Sequence, residues 1–165
     1  MADRAEQHDV TTREGLTAFY DVAFNDVYRS AARLTNGDRQ AAEDLVQDAF
    51  VRLTRSARAG QVSTVGVGWL ITTVRRLHID RLRSADREQR RLRLVAASAD
   101  EQPARESAAS VLDGLSDRER AALVLRYIED LPVGEVADLM GSSVRATESL
   151  LQRAKRKARA SRRIS

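Results

Sequence analysis

The stretch from Leu131 to Lys157 leaves few folds open. Pro132 suits the first turn of a short helix, Val133 to Met140, which carries Glu135, Val136, Ala137, Leu139 and Met140. Gly141 fits the left-handed position that ends such a helix, and Ser143 can cap a second one beginning at Val144. Two helices joined by so tight a turn form a helix-turn-helix. On the second helix Val144, Thr147, Leu151 and Ala154 fall on one side. Arg145, Ser149, Gln152, Arg153 and Arg156 fall on the other, flanked by Glu148 and Leu150. An apolar back and a polar front are what a helix needs to read a DNA major groove. Gln can pair with adenine and Arg with guanine, while Lys155, Lys157 and Arg159 can contact phosphate. An amphipathic hairpin with a basic, solvated end shares this pattern, so the rest of the chain has to decide.

Helical spacing continues upstream. Leu16, Tyr20, Ala23, Val27, Ala31 and Leu34 predict a helix over Glu14 to Leu34, with Phe24 and Tyr28 beside the stripe. Asn36-Gly37 breaks it, and Asp38 caps a second helix from about Arg39 to Arg55, whose stripe is Ala42, Leu45, Val46, Ala49, Phe50 and Leu53. Its other face holds Glu43, Asp44, Gln47, Asp48 and Val51. Ala57 to Gly68 has no clear period and reads as a loop. A long helix runs from near Trp69 to about Leu92, apolar first (Trp69, Leu70, Ile71, Val74, Leu77) and Arg-rich after. Val95 to Ser110 is small, acidic and polar, with Pro103, and reads as a linker. Ser116-Asp117-Arg118-Glu119 is a capping box opening a helix with Ala121, Val124, Leu125 and Ile128 on its apolar side. The expected fold is all-α: two small helical domains, 1–93 and 114–165, joined by a flexible acidic linker, 94–113.

Charge is distributed unevenly, and that matters more than the net +4. Trp69 to Arg93 holds eight Arg against three acids, and Arg145 to Ser165 holds eight Arg/Lys against one. Leu94 to Leu115 between them holds four acids and one Arg. Two basic blocks around an acidic spacer suggest two surfaces for one polyanion. With no cysteine, disulfides and thiolate metal sites are excluded. His8 and His78 make no ligand pattern, no apolar run reaches membrane-spanning length, and Met1 to Thr12 is too polar for a signal peptide.

Three segments, in order, resemble the extracytoplasmic-function (ECF) sigma factors of the sigma-70 family. Ala42-Glu43-Asp44-Leu45-Val46-Gln47-Asp48-Ala49-Phe50 is similar to the helix that docks on the polymerase clamp. Trp69-Leu70 through Arg75-Arg76-Leu77-His78-Ile79-Asp80-Arg81-Leu82-Arg83 is similar to the −10 segment. Leu115-Ser116-Asp117-Arg118-Glu119-Arg120 through Arg153-Ala154-Lys155 is similar to the −35 reader. The resemblance implies core polymerase contacts at Asp44, Leu45, Gln47, Asp48 and Val51. It implies −10 contacts at Arg75, Arg76, His78, Asp80, Arg81 and Arg83, with a base pocket built partly by the 57–68 loop. It implies −35 contacts at Arg145, Glu148, Ser149, Gln152, Arg153 and Arg156. Asp100, Glu101, Glu106 and Asp113 of the linker would thread the polymerase cleft. Two departures bear on promoter choice: Arg76 stands where the family usually has Asn, and Glu148 and Leu150 stand where basic residues are common.

The implied function is promoter-specific initiation in the bacterial cytoplasm by a subunit that is itself no enzyme and needs no cofactor or metal. Its partners would be core RNA polymerase and promoter DNA, with no membrane, as a monomer within the holoenzyme. An anti-sigma factor is a further partner the resemblance allows. A helix-turn-helix regulator acting alone would explain the C-terminal half but leave the two upstream segments idle. A nucleic-acid enzyme would need a metal cluster, phosphate loop or nucleophile arrangement that the sequence does not offer.

Overall fold

Asn36 and Gly37 both adopt positive φ, 56° and 78°, and this local turn sets the first half of the fold. Asn and Gly tolerate that region, so the chain can reverse within a few residues. Before it runs α1 (Arg13–Leu34), whose first turn is capped by Thr12 accepting from the Gly15 N–H at 3.0 Å. After it runs α2 (Arg39–Arg58), capped by Asp38 accepting from the Ala41 N–H at 3.0 Å. The two helices pack against each other. The computed structural model describes residues 6–95 and 114–161. The expected linker, apart from its first two residues, lies outside them. The chain divides into two compact units, Met1–His78 and Ile79–Ser165.

In the first unit Ala23, Val27, Ala31 and Leu34 of α1 are buried, as are Ala42, Leu45, Val46, Ala49 and Leu53 of α2. Each large aliphatic side chain so buried contributes about 1.5–3 kcal/mol. The N-terminal half of α1 departs from the expected stripe. Phe19 is fully buried, while Tyr20 is 43% exposed and Leu16 half-buried. The cause is a two-stranded antiparallel ribbon that helical periodicity cannot reveal. Strand β1 (His8–Asp9) pairs with β2 (Thr64–Val65), His8 opposite Val65 and Asp9 opposite Thr64. The ribbon brings the His8 ring to 5.0 Å from that of Phe19 and rotates the buried side of α1 toward it. The expected 57–68 loop is correspondingly shorter. Helix α2 extends to Arg58, β2 occupies Thr64–Val65, and α3 begins at Val67 and runs to Val95.

In the second unit the capping box forms as the sequence predicts. The Glu119 N–H donates to Ser116 Oγ at 3.2 Å, and the Ser116 N–H donates to Glu119 Oε2 at 3.0 Å. Helix α4 (Asp117–Leu123) passes directly into a π-helical turn, Val124–Ile128, closed by the Glu129 N–H on the Val124 carbonyl at 2.9 Å. The extra residue of a π turn shifts the helical phase by about 100°. Ile128, expected on the apolar side, is therefore 56% exposed, and Tyr127 is 46% exposed beside it. Helix α5 (Val133–Met140) ends at Gly141 with φ 56°, and the Ser142 N–H bonds back to the Ala137 carbonyl at 3.0 Å. Ser143 then accepts from the Ala146 N–H at 3.2 Å, opening α6 (Val144–Ser161).

Candidate functional site

Helix α6 is held by its apolar back: Thr147, Leu151 and Ala154 are buried, as are Val136, Ala137 and Met140 of α5, which packs against it. Arg145, Glu148, Ser149, Gln152, Arg153 and Arg156 are all exposed, so every residue expected at the −35 surface lies on the open side. Val144, expected on the buried side, is 49% exposed. As the first helical residue it points back toward the N-terminus, ahead of the turns that pack. The Ser149 hydroxyl donates to the Arg145 carbonyl at 3.0 Å, leaving its oxygen to accept.

Two side chains from α4 fix this motif from behind. Arg118 Nη2 donates to the Met140 carbonyl at 3.3 Å, satisfying the end of α5. Glu119, almost fully buried, accepts from Lys157 Nζ at 2.9 Å while also serving the capping box. Burial pushes the Glu119 carboxyl up. The hydrogen bond and charge of Lys157 and the two Ser116 bonds outweigh it, and its pKa falls below the ordinary value. Lys157 is therefore engaged within the fold while its side chain stays about half exposed. Lys155 Nζ lies 4.2 Å from the centre of the Tyr127 ring, a cation–π contact, and Arg159 is exposed.

On α3, Arg76, Asp80 and Arg81 are exposed, and Arg75 and Arg83 are half-buried. His78 is buried, only 9% exposed, which corrects the expectation of an outward-facing imidazole. Its position follows the apolar period of Leu70, Ile71, Val74 and Leu77, all buried, more closely than the basic face. At the N-terminal end of α3 an open cleft of about 500 Å³ is lined by Thr64, Val65, Gly66, Gly68, Trp69, Thr72, Thr73, Arg76 and Gln7. Part of the 57–68 loop thus lines this cleft together with Arg76. Gln7, Thr72 and Thr73 are lining residues that sequence reasoning missed, and Gln7 is there only because the ribbon brings it.

On α2, Gln47 and Asp48 are exposed, Val51 is 40% exposed and Asp44 is half-buried, accepting from Gln40 Nε2 at 3.1 Å. Leu45, also expected at the polymerase surface, is fully buried on the core side of α2, away from the exposed Gln47 and Asp48. It falls in register with Ala42, Val46 and Ala49, and that register carries it into the core. Beside this face lies an open groove of about 620 Å³ lined by Tyr20, Phe24, Val46, Gln47, Phe50 and Val51 among others. The Tyr20 ring is 5.2 Å from Phe24 and 4.8 Å from Phe50.

Comparison with known proteins places these surfaces in a family. A model described as sigma-70 region 2 matches residues 20–88, and one described as sigma-70, region 4 matches residues 105–157. A probable ECF RNA polymerase sigma factor, SigI of Mycobacterium tuberculosis, is 33% identical over 142 residues, covering 76% of this chain and 48% of the relative. The chain thus spans about half the length of that curated relative. The ECF RNA polymerase sigma factor SigM of Bacillus subtilis is 29% identical, with 86% of this chain and 91% of the relative covered. The fold is similar to that of the sigma factor RpoE of Bartonella quintana, solved in complex with the anti-sigma factor NepR. The TM-score is 0.55 and the identity 19%, over 90% of this chain and 97% of that one. With a region 2 and a region 4 matched in order, and the helix-turn-helix formed within the second, the chain belongs to the sigma-70 family, among its ECF members.

Proposed function

We infer that this chain is a sigma subunit that binds core RNA polymerase and directs promoter-specific initiation. The observation that carries the reading is the pairing, in one chain, of a helix-turn-helix with a wholly exposed reading face and a separate acidic helix face on α2. A DNA reader acting alone has no use for the second. Core polymerase docks on Asp44, Gln47, Asp48 and Val51, where a basic partner surface finds charge complementarity. Arg145, Glu148, Ser149, Gln152, Arg153 and Arg156 read the −35 duplex. Arg76, Asp80 and Arg81, with Arg75 and Arg83 at the margin, serve the −10 strand. Domain limits of 1–93 and 114–165 fit this division of labour, with the acidic 94–113 segment as the part that enters the polymerase cleft. The chemistry of transcription then belongs to the polymerase, the chain is not an enzyme, and its place is the cytoplasm. Among the described residues no helix is long and apolar enough to cross a membrane. An anti-sigma factor would act by covering one of these faces.

Transcription from promoter DNA with purified core polymerase tests the reading directly. Promoter-specific product should require this chain. Tight specific binding to free DNA at physiological salt, with no effect on core polymerase, would replace it by a regulator acting alone.

Within the −35 surface two side chains should fail differently. Gln152→Ala is expected to relax base preference at one position by about 1–3 kcal/mol, through loss of a bidentate contact. Arg156→Ala should weaken all sequences alike and reduce the slope of log K against log salt by about 0.9. Binding titrations over a base-substituted −35 series at several salt concentrations separate the two. Unchanged preference and slope in both variants would put the reading face elsewhere on α6.

A further inference from the structure

The segment ahead of α1 is fixed in place more firmly than a polar N-terminal stretch requires. Beyond the pairing of β1 with β2, the Val10 N–H donates to the Ser63 carbonyl at 2.9 Å, and Val10 is fully buried. Asp9 accepts from the Thr11 N–H at 2.8 Å and from its hydroxyl at 2.7 Å. The backbone then passes so close to α1 that a Cβ on Gly15 would collide with the Asp9 carbonyl oxygen. The strap is thus held by the ribbon on one side and by the first turn of α1 on the other. Gln7 stands immediately before it, exposed, on the wall of the cleft that also holds Thr64, Trp69, Thr72 and Arg76.

Those groups make one chemical set. An unstacked base needs an aromatic or apolar face to lie against, hydrogen-bonding groups at its edge and a cation for the adjoining phosphate. Trp69 offers the face, Arg76 the cation, and Thr64 and Thr72 offer hydroxyls. The Gln7 amide offers a donor and an acceptor side by side, the pattern that pairs bidentately with adenine. We propose that Gln7 reads an unpaired nucleobase, adenine by preference, in this cleft, so that the N-terminal strap helps set the −10 preference. The proposal rests on the reading of the chain as a sigma subunit and adds a specificity residue to it.

The test uses holoenzyme assembled with the full chain, on promoter templates pre-melted across the −10 element and carrying each of the four bases in turn at the unpaired positions. Dissociation of the open complex is measured for the unmodified protein, Gln7→Ala, Gln7→Glu and Arg76→Ala. Gln7 is exposed, so none of its variants should alter the melting curve. The unmodified protein should hold adenine at one position about tenfold longer than the other bases, and Gln7→Ala should erase most of that difference. Gln7→Glu keeps the shape but loses the donor and adds a negative charge beside phosphate, so its complexes should be shorter-lived than those of Gln7→Ala with every base. If Gln7→Ala keeps the original preference while Arg76→Ala shortens all complexes, the proposal is overturned and the strand-opening role of the cleft stands. Absence of any adenine preference in the unmodified protein overturns it equally. If neither residue matters, the cleft is not the strand-opening site and both readings fall together.

Discussion

Replacing Asp44 and Asp48 together by lysine is expected to raise the dissociation constant for core polymerase at least about 100-fold, with little change in thermal stability. Truncating one partner of a charge pair across an interface costs about 2–5 kcal/mol, and reversal adds repulsion to each lost contact. Asp48 is exposed and Asp44 half-buried, so neither lysine has to enter the core. The neighbouring Leu45→Ala is the informative contrast. Leu45 is fully buried, so its truncation should cost about 2–5 kcal/mol of folding stability, and any loss of binding should track the unfolded fraction. Val51, on the exposed face, should behave in the opposite way. Holoenzyme assembly measured by fluorescence anisotropy, beside thermal melts of the same variants, distinguishes the two kinds of residue. Unchanged affinity in the double lysine variant would remove α2 from the polymerase interface.

Glu119→Ala should destabilise the helix-turn-helix unit by about 2–4 kcal/mol, because it deletes half of a capping box and a charge-assisted hydrogen bond at once. Glu119→Gln can still accept at the cap but loses the ionic partner of Lys157, so it should fall between. The pH dependence identifies the cause. A carboxyl whose pKa is lowered on folding contributes its full stability above the ordinary carboxylate value and loses it as pH falls through the folded value. The lowered pKa of Glu119 therefore contributes a loss of stability as pH falls through the carboxylate range, expected as a fall in the melting temperature of the unmodified protein. Glu119→Gln should flatten that part of the profile. The same bond ties α4 to α6, so −35 affinity should fall with it even though Glu119 touches no DNA. An identical pH profile in the Gln variant would show that the Lys157 bond carries no net stability.

What sequence reasoning read correctly is local. The caps at Asp38, Ser116 and Ser143, the left-handed Gly141 and the exposed face of α6 all depend on atoms within about four residues of each other. Such interactions are written into the order of the side chains whatever the rest of the chain does. Motif resemblance, by contrast, placed Leu45 and His78 among contact residues because it marks segments and not faces. Helical periodicity had already put Leu45 in the buried stripe.

The same division runs through the whole molecule. The sequence by itself determined the all-α class, the capped starts of the helices and the exposed reading face of α6. Only the tertiary structure decided which half-turn of α1 is buried, since the β1–β2 ribbon joins residues more than fifty positions apart and selects Phe19 over Tyr20. It decided that the π turn exposes Ile128, because one extra backbone residue leaves no mark in a 3.6-residue pattern. It decided too that Lys157 serves Glu119 and that Gln7 meets Arg76 across a cleft. Pairings of that kind are chosen by how whole elements pack, and no window along the chain contains both partners.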